Sequence, residues 1–188
     1  MKLGKYIYLV FVAFLVIGFA SCGKTTSQEM RDAERDLLSK YIKKYHKGAY
    51  PTASGLYYIE TKKGVGDSVV TGNYVKVFYR GYLIEDNDTV GIQDGYLFDA
   101  SGNYEPFGFT SGAGSVVAGW EEAITLMKQG GEAKWILPSN LAYGGNPQST
   151  IPAYSNLVFY VTLVKIYKST DTFKVIQKLP KELDILSH

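Results

Sequence analysis

Apolar residues along this chain recur at three spacings, and each predicts a different element. The first is an unbroken run, "IYLVFVAFLVIGFA", fourteen uncharged residues from Ile7 to Ala20 behind Lys2 and Lys5. It is short for a permanent bilayer span and right for the core of a secretory signal. A buried helix would have no reason to be apolar all round at this end of a chain. The second spacing is helical: Met30, Ala33, Leu37, Tyr41 and Tyr45 form a stripe that Leu38 and Ile42 widen. Thr26 and Glu29 have capping-box spacing, and Lys40, Lys43, Lys44 and Lys47 crowd the far end, where the helix dipole favours cations. The pattern predicts a helix from Glu29 to Lys47, stopped by Gly48. Its greasy stripe either packs on its own domain or meets a dimer mate or partner.

The third spacing begins at Leu56. "LYYIETK", "YVKVFYRGYLI", "GYLFDAS", "PFGFTSG", "EAKWILP" and "NLVFYVTLVKIY" are short β-branched and aromatic runs separated by Gly, Asn and Pro. The one helix among them is Gly119 to Met127, with Trp120, Ala123, Ile124 and Met127 on one face. Several antiparallel strands and a single short helix predict an α+β domain, the sheet wrapped over the helix. Trp120 is then either the largest piece of a core or the floor of something that stays open. Organisation follows from these boundaries: a leader over 1–21, a tether and amphipathic helix over 22–50, one domain over 51–168 and a tail over 169–188. In the tail, "TFKVIQKL" reads equally as a strand or a docking turn.

Composition and charge narrow the function classes. Sixteen tyrosines and nine phenylalanines suit a sheet-rich body. The formal charge is +2, and loss of Lys2 and Lys5 with a leader would leave 18 basic against 18 acidic residues. No basic block is long enough to track phosphates, so a nucleic-acid partner is not expected. His46 and His188 lie at the edges of the chain without cysteine partners, which excludes the usual zinc ligands and a histidine-based triad. "DNDTVGIQDGYL" begins like a calcium loop but has Val90 at the fifth place and Leu97 at the twelfth, so it reads as a solvated loop. "GAGSVV" lacks the third glycine of a dinucleotide fingerprint, and Trp120 stands where a phosphate-binding loop needs lysine. No metal or cofactor is expected.

"GFASCGK" resembles the bacterial lipoprotein signal, in which small residues precede a cysteine that is lipidated and becomes the first residue. Cys22 is the only cysteine and cannot close an intramolecular disulfide. A thioether to lipid explains it better than a stray thiol in an ordinary secreted protein. Gly23, where an aspartate would favour the inner membrane, implies an outer-membrane, periplasm-facing lipoprotein.

The aromatic runs carry a more specific resemblance. In order they read V-x-Y-x-G, F-D-x-S, P-F-x-F, V-V-x-G-W-E-E, M-x-x-G, P-x-x-L-A-Y-G, I-P and L-V-F-x-V-x-L, between about Tyr58 and Tyr167. This order is similar to that of the FKBP-type peptidyl-prolyl cis–trans isomerases, or rotamases. The resemblance implies an antiparallel half-barrel around the short helix, with an apolar pocket for a proline ring. It places Trp120 at the floor, and Tyr79, Phe107, Val116, Val117, Ile151 and Phe159, joined by Phe98, in the walls. Asp99 and the Tyr143 hydroxyl become polar handles, and the Val117 N–H would hold a substrate carbonyl. On this reading Gly119 lets the chain turn tightly enough to present the indole.

The sequence departs from the family at the rim. The basic residue between F-D and P-F is missing from "ASGNYEPF", which has Tyr104 nearby. The loop after "AYG" is shorter, with Gln148 and Ser149 where a histidine is often found, and the insert over 84–96 is longer than the usual hairpin connection. The expected partners are proline-containing exported polypeptides, macrolide-type pocket ligands, and a membrane through the N-terminal lipid. The alternative is a proline-binding chaperone module with little turnover, which the altered rim and long insert favour.

Overall fold

The computed structural model describes residues 26–87 and 90–168. The expected leader and tether, Cys22 and the tail from 169 onwards lie outside the described residues, save for the part of 22–50 from Thr26 on. Helix α1 spans Thr26–Tyr45, and six strands follow with a second helix among them: β1 Tyr57–Lys62, β2 Tyr74–Asn87, β3 Gly91–Ala100, β4 Phe107–Thr110, α2 Ala118–Thr125, β5 Glu132–Leu137 and β6 Leu157–Tyr167. A 3₁₀ turn, Ser139–Leu141, follows β5. All pairings are antiparallel, in the order β1-β5-β6-β2-β3, with β4 on β2 beside β3. This is the expected α+β architecture.

The period-2 alternation of strand side chains divides the sheet into two covered faces. Val75, Val77, Ala133, Trp135, Leu137, Leu157, Phe159, Val161 and Leu163 face α2 and pack on its Trp120, Ala123, Ile124 and the adjoining Met127. Ile84, Ile136 and Val158 point the other way and meet Tyr41 and Ile42 of α1. The stripe on α1 therefore packs on its own domain. The helix ends at Tyr45 rather than Lys47; His46 N–H donates to Ile42 O at 2.8 Å, and Gly48 follows at φ +89°, the left-handed stop its position predicted.

One expectation fails here. The segment read as a solvated loop is a continuation of β2 and β3, which pair out to Asn87 and Gly91. Local polarity favoured a loop, but α1 covers Tyr82, Ile84 and Ile92 on one side of this hairpin and supplies the burial that its own sequence lacks. The Lys44 ammonium and Tyr45 hydroxyl both donate to Ile92 O, at 2.9 and 2.7 Å. Asp94, from the same insert, accepts from the hydroxyls of Tyr41 and Tyr160 and faces the Lys134 ammonium at 3.3 Å. No helix among the described residues is long and apolar enough to cross a membrane.

Candidate active site

A cleft of about 410 Å³ opens between the concave face of the sheet and the start of α2. That volume falls in the range of small-molecule sites. Tyr79, Phe98, Asp99, Phe107, Val116, Val117, Trp120, Tyr143 and Phe159 all line it, together with Gly114 and Ser115. These nine residues come from β2, β3, β4, β6, the α2 entry and the loop after β5. Ile151, the tenth residue expected there, does not line the cleft; it is 5% exposed and packed into the core behind it. In the loop around it Gln148 N–H donates to Ile151 O at 2.9 Å. A larger groove, about 560 Å³, runs over the opposite face along Phe78, Arg80 and Tyr160, but of the expected site residues only Tyr79 reaches it.

Trp120 belongs to both core and cleft. It is 4% exposed, yet it forms part of the cleft wall. Tyr79, Phe107, Phe109, Trp135 and Phe159 surround it with ring centroids 4.9–6.0 Å away and interplanar angles of 61–88°. Edge-to-face contacts of this kind set the positive edge of one ring against the electron-rich face of the other. None of the five rings lies flat on the indole.

The reason for Gly119 differs from the one expected. Gly119 lies inside α2 and is not among the positive-φ glycines. A Cβ there would stand 2.4 Å from Leu137 Cδ2 and 3.1 Å from Leu141 O, so glycine lets the helix sit directly on β5. Close packing, rather than a tight turn, brings the indole to the sheet.

Phe98 and Asp99 are adjacent, and a regular strand would send them to opposite faces. The register explains how both reach the cleft. Gly81 pairs with Asp99 and Tyr82 with Leu97, leaving Phe98 as an extra residue in a β-bulge. Its ring then meets Phe159 edge-on at 5.6 Å. Gly81 is required for this contact, because a Cβ on it would lie 2.7 Å from Phe98 and 2.8 Å from Phe159. The glycine of V-x-Y-x-G was the available signal, and it had no assigned role.

Polar groups collect at the mouth. The Asp99 carboxylate accepts from the Tyr79 hydroxyl at 2.5 Å and from Ala100 N–H at 2.9 Å. Burial, aided by Asp99, holds the Tyr79 hydroxyl well above the usual tyrosine range. The Tyr143 hydroxyl is raised by burial and then by Asp99, so it stays a proton donor at neutral pH. Val117 precedes α2 in extended conformation (φ −62°, ψ 152°), and its carbonyl accepts from Trp120 and Glu121 N–H at 2.9 and 3.2 Å. Among the described residues its own N–H and the Tyr143 hydroxyl donate to no acceptor. Glu121, a residue without a predicted role, accepts from Gly112 and Gly114 N–H at 2.6 and 2.8 Å and fixes the loop that forms the cleft's near wall. Among the described residues no group of His, Cys, Asp and Glu could hold a metal ion.

Comparison with known proteins gives the same answer as the cleft. Residues 66–164 match the family model described as FKBP-type peptidyl-prolyl cis-trans isomerase. The chain is 38% identical over 145 residues to the FKBP-type peptidyl-prolyl cis-trans isomerase FkpA of Buchnera aphidicola, covering 73% of this chain and 53% of that protein. It is 34% identical over 116 residues to an FK506-binding protein of Neisseria meningitidis, covering 61% of this chain and 98% of that one. It spans only 30% of the longer FK506-binding protein 4 of Gibberella zeae. Among solved structures, a peptidyl-prolyl cis-trans isomerase from Pseudomonas syringae superposes with a TM-score of 0.63 at 26% identity, over 78% of this chain and 99% of that one. An aromatic cleft over a single indole, the ordered motifs and the matched relatives lead to one conclusion: this chain belongs to the FKBP-type peptidyl-prolyl cis–trans isomerase family.

Proposed function

We propose that this chain is a membrane-tethered peptidyl-prolyl isomerase that accelerates X-Pro isomerisation in exported polypeptides. The observation that carries the enzymatic part is an open cleft lined by Trp120 in which, among the described residues, the Val117 N–H and the Tyr143 hydroxyl donate to no acceptor. A pyrrolidine ring lies flat on the indole between Tyr79, Phe107 and Phe159. The Val117 N–H takes a substrate carbonyl, and the Tyr143 hydroxyl binds a second polar group of the peptide.

Rotation about an X-Pro bond is slow because it breaks amide resonance, a barrier of roughly 18–20 kcal/mol. The planar amide is the more charge-separated form, so a dry aromatic site penalises it more than the twisted one. Donors placed for the twisted geometry add binding that exists only at the barrier top, the kind that accelerates. A thousandfold gain needs about 4 kcal/mol. No acid, base or nucleophile is required, which fits a cleft whose one charged lining residue, Asp99, is occupied by Tyr79.

A proline-peptide isomerisation assay on the purified chain tests this reading. Turnover well above the uncatalysed rate is expected. Ligand binding without turnover would instead favour the chaperone module, and neither binding nor turnover would end both. The tether rests on the leader and Cys22. Radiolabelled palmitate should enter the chain in cells, and Cys22→Ala should abolish the label and release the domain from the membrane fraction.

A further inference from the structure

Tyr143, one of the cleft's donors, sits on the long connection between β5 and β6, which needs something to hold it. The backbone of one residue does most of that work. Ser139 O accepts from Ala142 N–H at 2.9 Å and from Gly144 N–H at 2.8 Å, so both neighbours of Tyr143 hang from a single carbonyl. Tyr143 O in turn accepts from Asn146 N–H at 3.0 Å.

Ser139 is fixed from outside the connection. Its N–H donates to the Glu34 carboxylate of α1 at 2.6 Å, a contact 105 residues distant in sequence. Asn156, 2% exposed at the far end of the connection, donates through Nδ2 to Glu34 O at 2.8 Å. One turn earlier, the Arg31 guanidinium lies 5.4 Å above the ring of Tyr154. Tyr154 N–H donates to Gly144 O at 2.7 Å, and its ring packs so close to Gly145 that a Cβ there would meet its hydroxyl at 2.8 Å. Helix α1 thus grips both ends of the segment that carries Tyr143 and touches none of the cleft itself.

We propose that Glu34 is a positioning residue for the isomerase site: its carboxylate holds the Ser139 peptide, and that peptide sets the position of Tyr143. The inference rests on the isomerase reading for its catalytic consequence, though not for its structural one. A charge-assisted bond to a backbone N–H is among the stronger hydrogen bonds. A displacement near 1 Å at a substrate-contacting group is enough to change rate markedly.

The test compares Glu34→Ala, Glu34→Gln and, as a control on the same helix, Asp36→Asn, whose side chain pairs with Lys40 instead. Each full chain is measured by amide hydrogen exchange and by kcat/KM on a proline peptide. Glu34→Ala should speed exchange at Ser139, Ala142 and Gly144 by about tenfold, while Val161 in β6 keeps its protection. It should also lower kcat/KM by about tenfold. Glu34→Gln, which still offers an oxygen to Ser139 N–H, should recover most of both, and Asp36→Asn should change neither. Unchanged exchange at Ala142 and Gly144, or uniform acceleration that includes Val161, would overturn the proposal. Should the unmodified chain show no turnover, the isomerase reading fails on that measurement, and the exchange pattern still decides the role of Glu34.

Discussion

The Tyr79 hydroxyl donates to Asp99 Oδ2 at 2.5 Å, joining β2 to β3 across the mouth of the cleft. The carboxylate therefore holds a wall ring in place as well as contributing charge. Tyr79 contacts Trp120, Phe107 and Phe159, so its orientation decides the shape of the floor.

Asp99→Ala and Tyr79→Phe should each lower kcat/KM, by about tenfold, the equivalent of about 1.4 kcal/mol. Because they break the same bond, the double variant should lose little more than either single one. Steady-state kinetics on the four proteins measures the coupling. Multiplied losses would show that the two residues act separately.

Trp120 carries two loads that different substitutions separate. Trp120→Ala should cost about 3–5 kcal/mol of stability, since it empties a buried site ringed by five aromatics. Trp120→Phe should leave a folded domain that binds proline peptides poorly. Fluorescence titration reports on this directly. The signal from Trp120 should respond to ligand, and the remaining Trp135, fully buried behind it, should not.

Lys134 makes the back of the sheet asymmetric in its tolerance. Its ammonium is 3.3 Å from Asp94, donates to the Tyr41 hydroxyl at 2.5 Å and lies over the ring of Tyr160 at 4.8 Å. Burial lowers its pKa, and Asp94 opposes that shift. Asp94→Ala strands a buried cation and should destabilise by about 3 kcal/mol, whereas Lys134→Met removes the charge itself and should cost about 1 kcal/mol. Urea unfolding of both variants checks the order. Equal losses would mean that the charge is not what the pocket must satisfy.

His46 should give the domain an acid-side weakness. Among the described residues its Nε2 is buried without a partner, and burial, then Lys134, lower its pKa below the ordinary 6.5, against an opposing pull from Asp94. The unfolded chain therefore takes up this proton at a higher pH than the folded one. The His46 contribution is complete above 6.5 and is lost as pH falls from there through the lowered folded value. Denaturation midpoints measured from pH 8 to pH 5 should decline less in His46→Gln than in the unmodified protein. Parallel curves would exclude His46 as the source.

The strands and both helices were legible in the chain because their burial follows local periodicity: Trp120, Ala123 and Ile124 share a face, and Leu157, Phe159 and Val161 alternate with residues on the other face of the sheet. Nine cleft residues were legible only through ordered motifs, since period-2 reasoning alone would have separated Phe98 from Asp99. The bulge that unites them is a property of two paired strands, and its one trace in the sequence is Gly81 on the strand opposite. The insert over 84–96 misled for the same reason. Its polarity is real, but its shape is set by Tyr41 and Lys134, both distant in sequence. Motif order also records sequence position without depth, and Ile151 is packed into the same core cluster as Trp120.

Helix α1 is fastened at two points, through Glu34 near its middle to the connection bearing Tyr143 and through Tyr41 in its last turns to the insert hairpin. It cannot swing as a hinge without disturbing one or the other. The direction from which the chain enters at Thr26 is thereby locked to the heading of the cleft mouth. The axis of α1 and the mouth of the cleft therefore turn as one body.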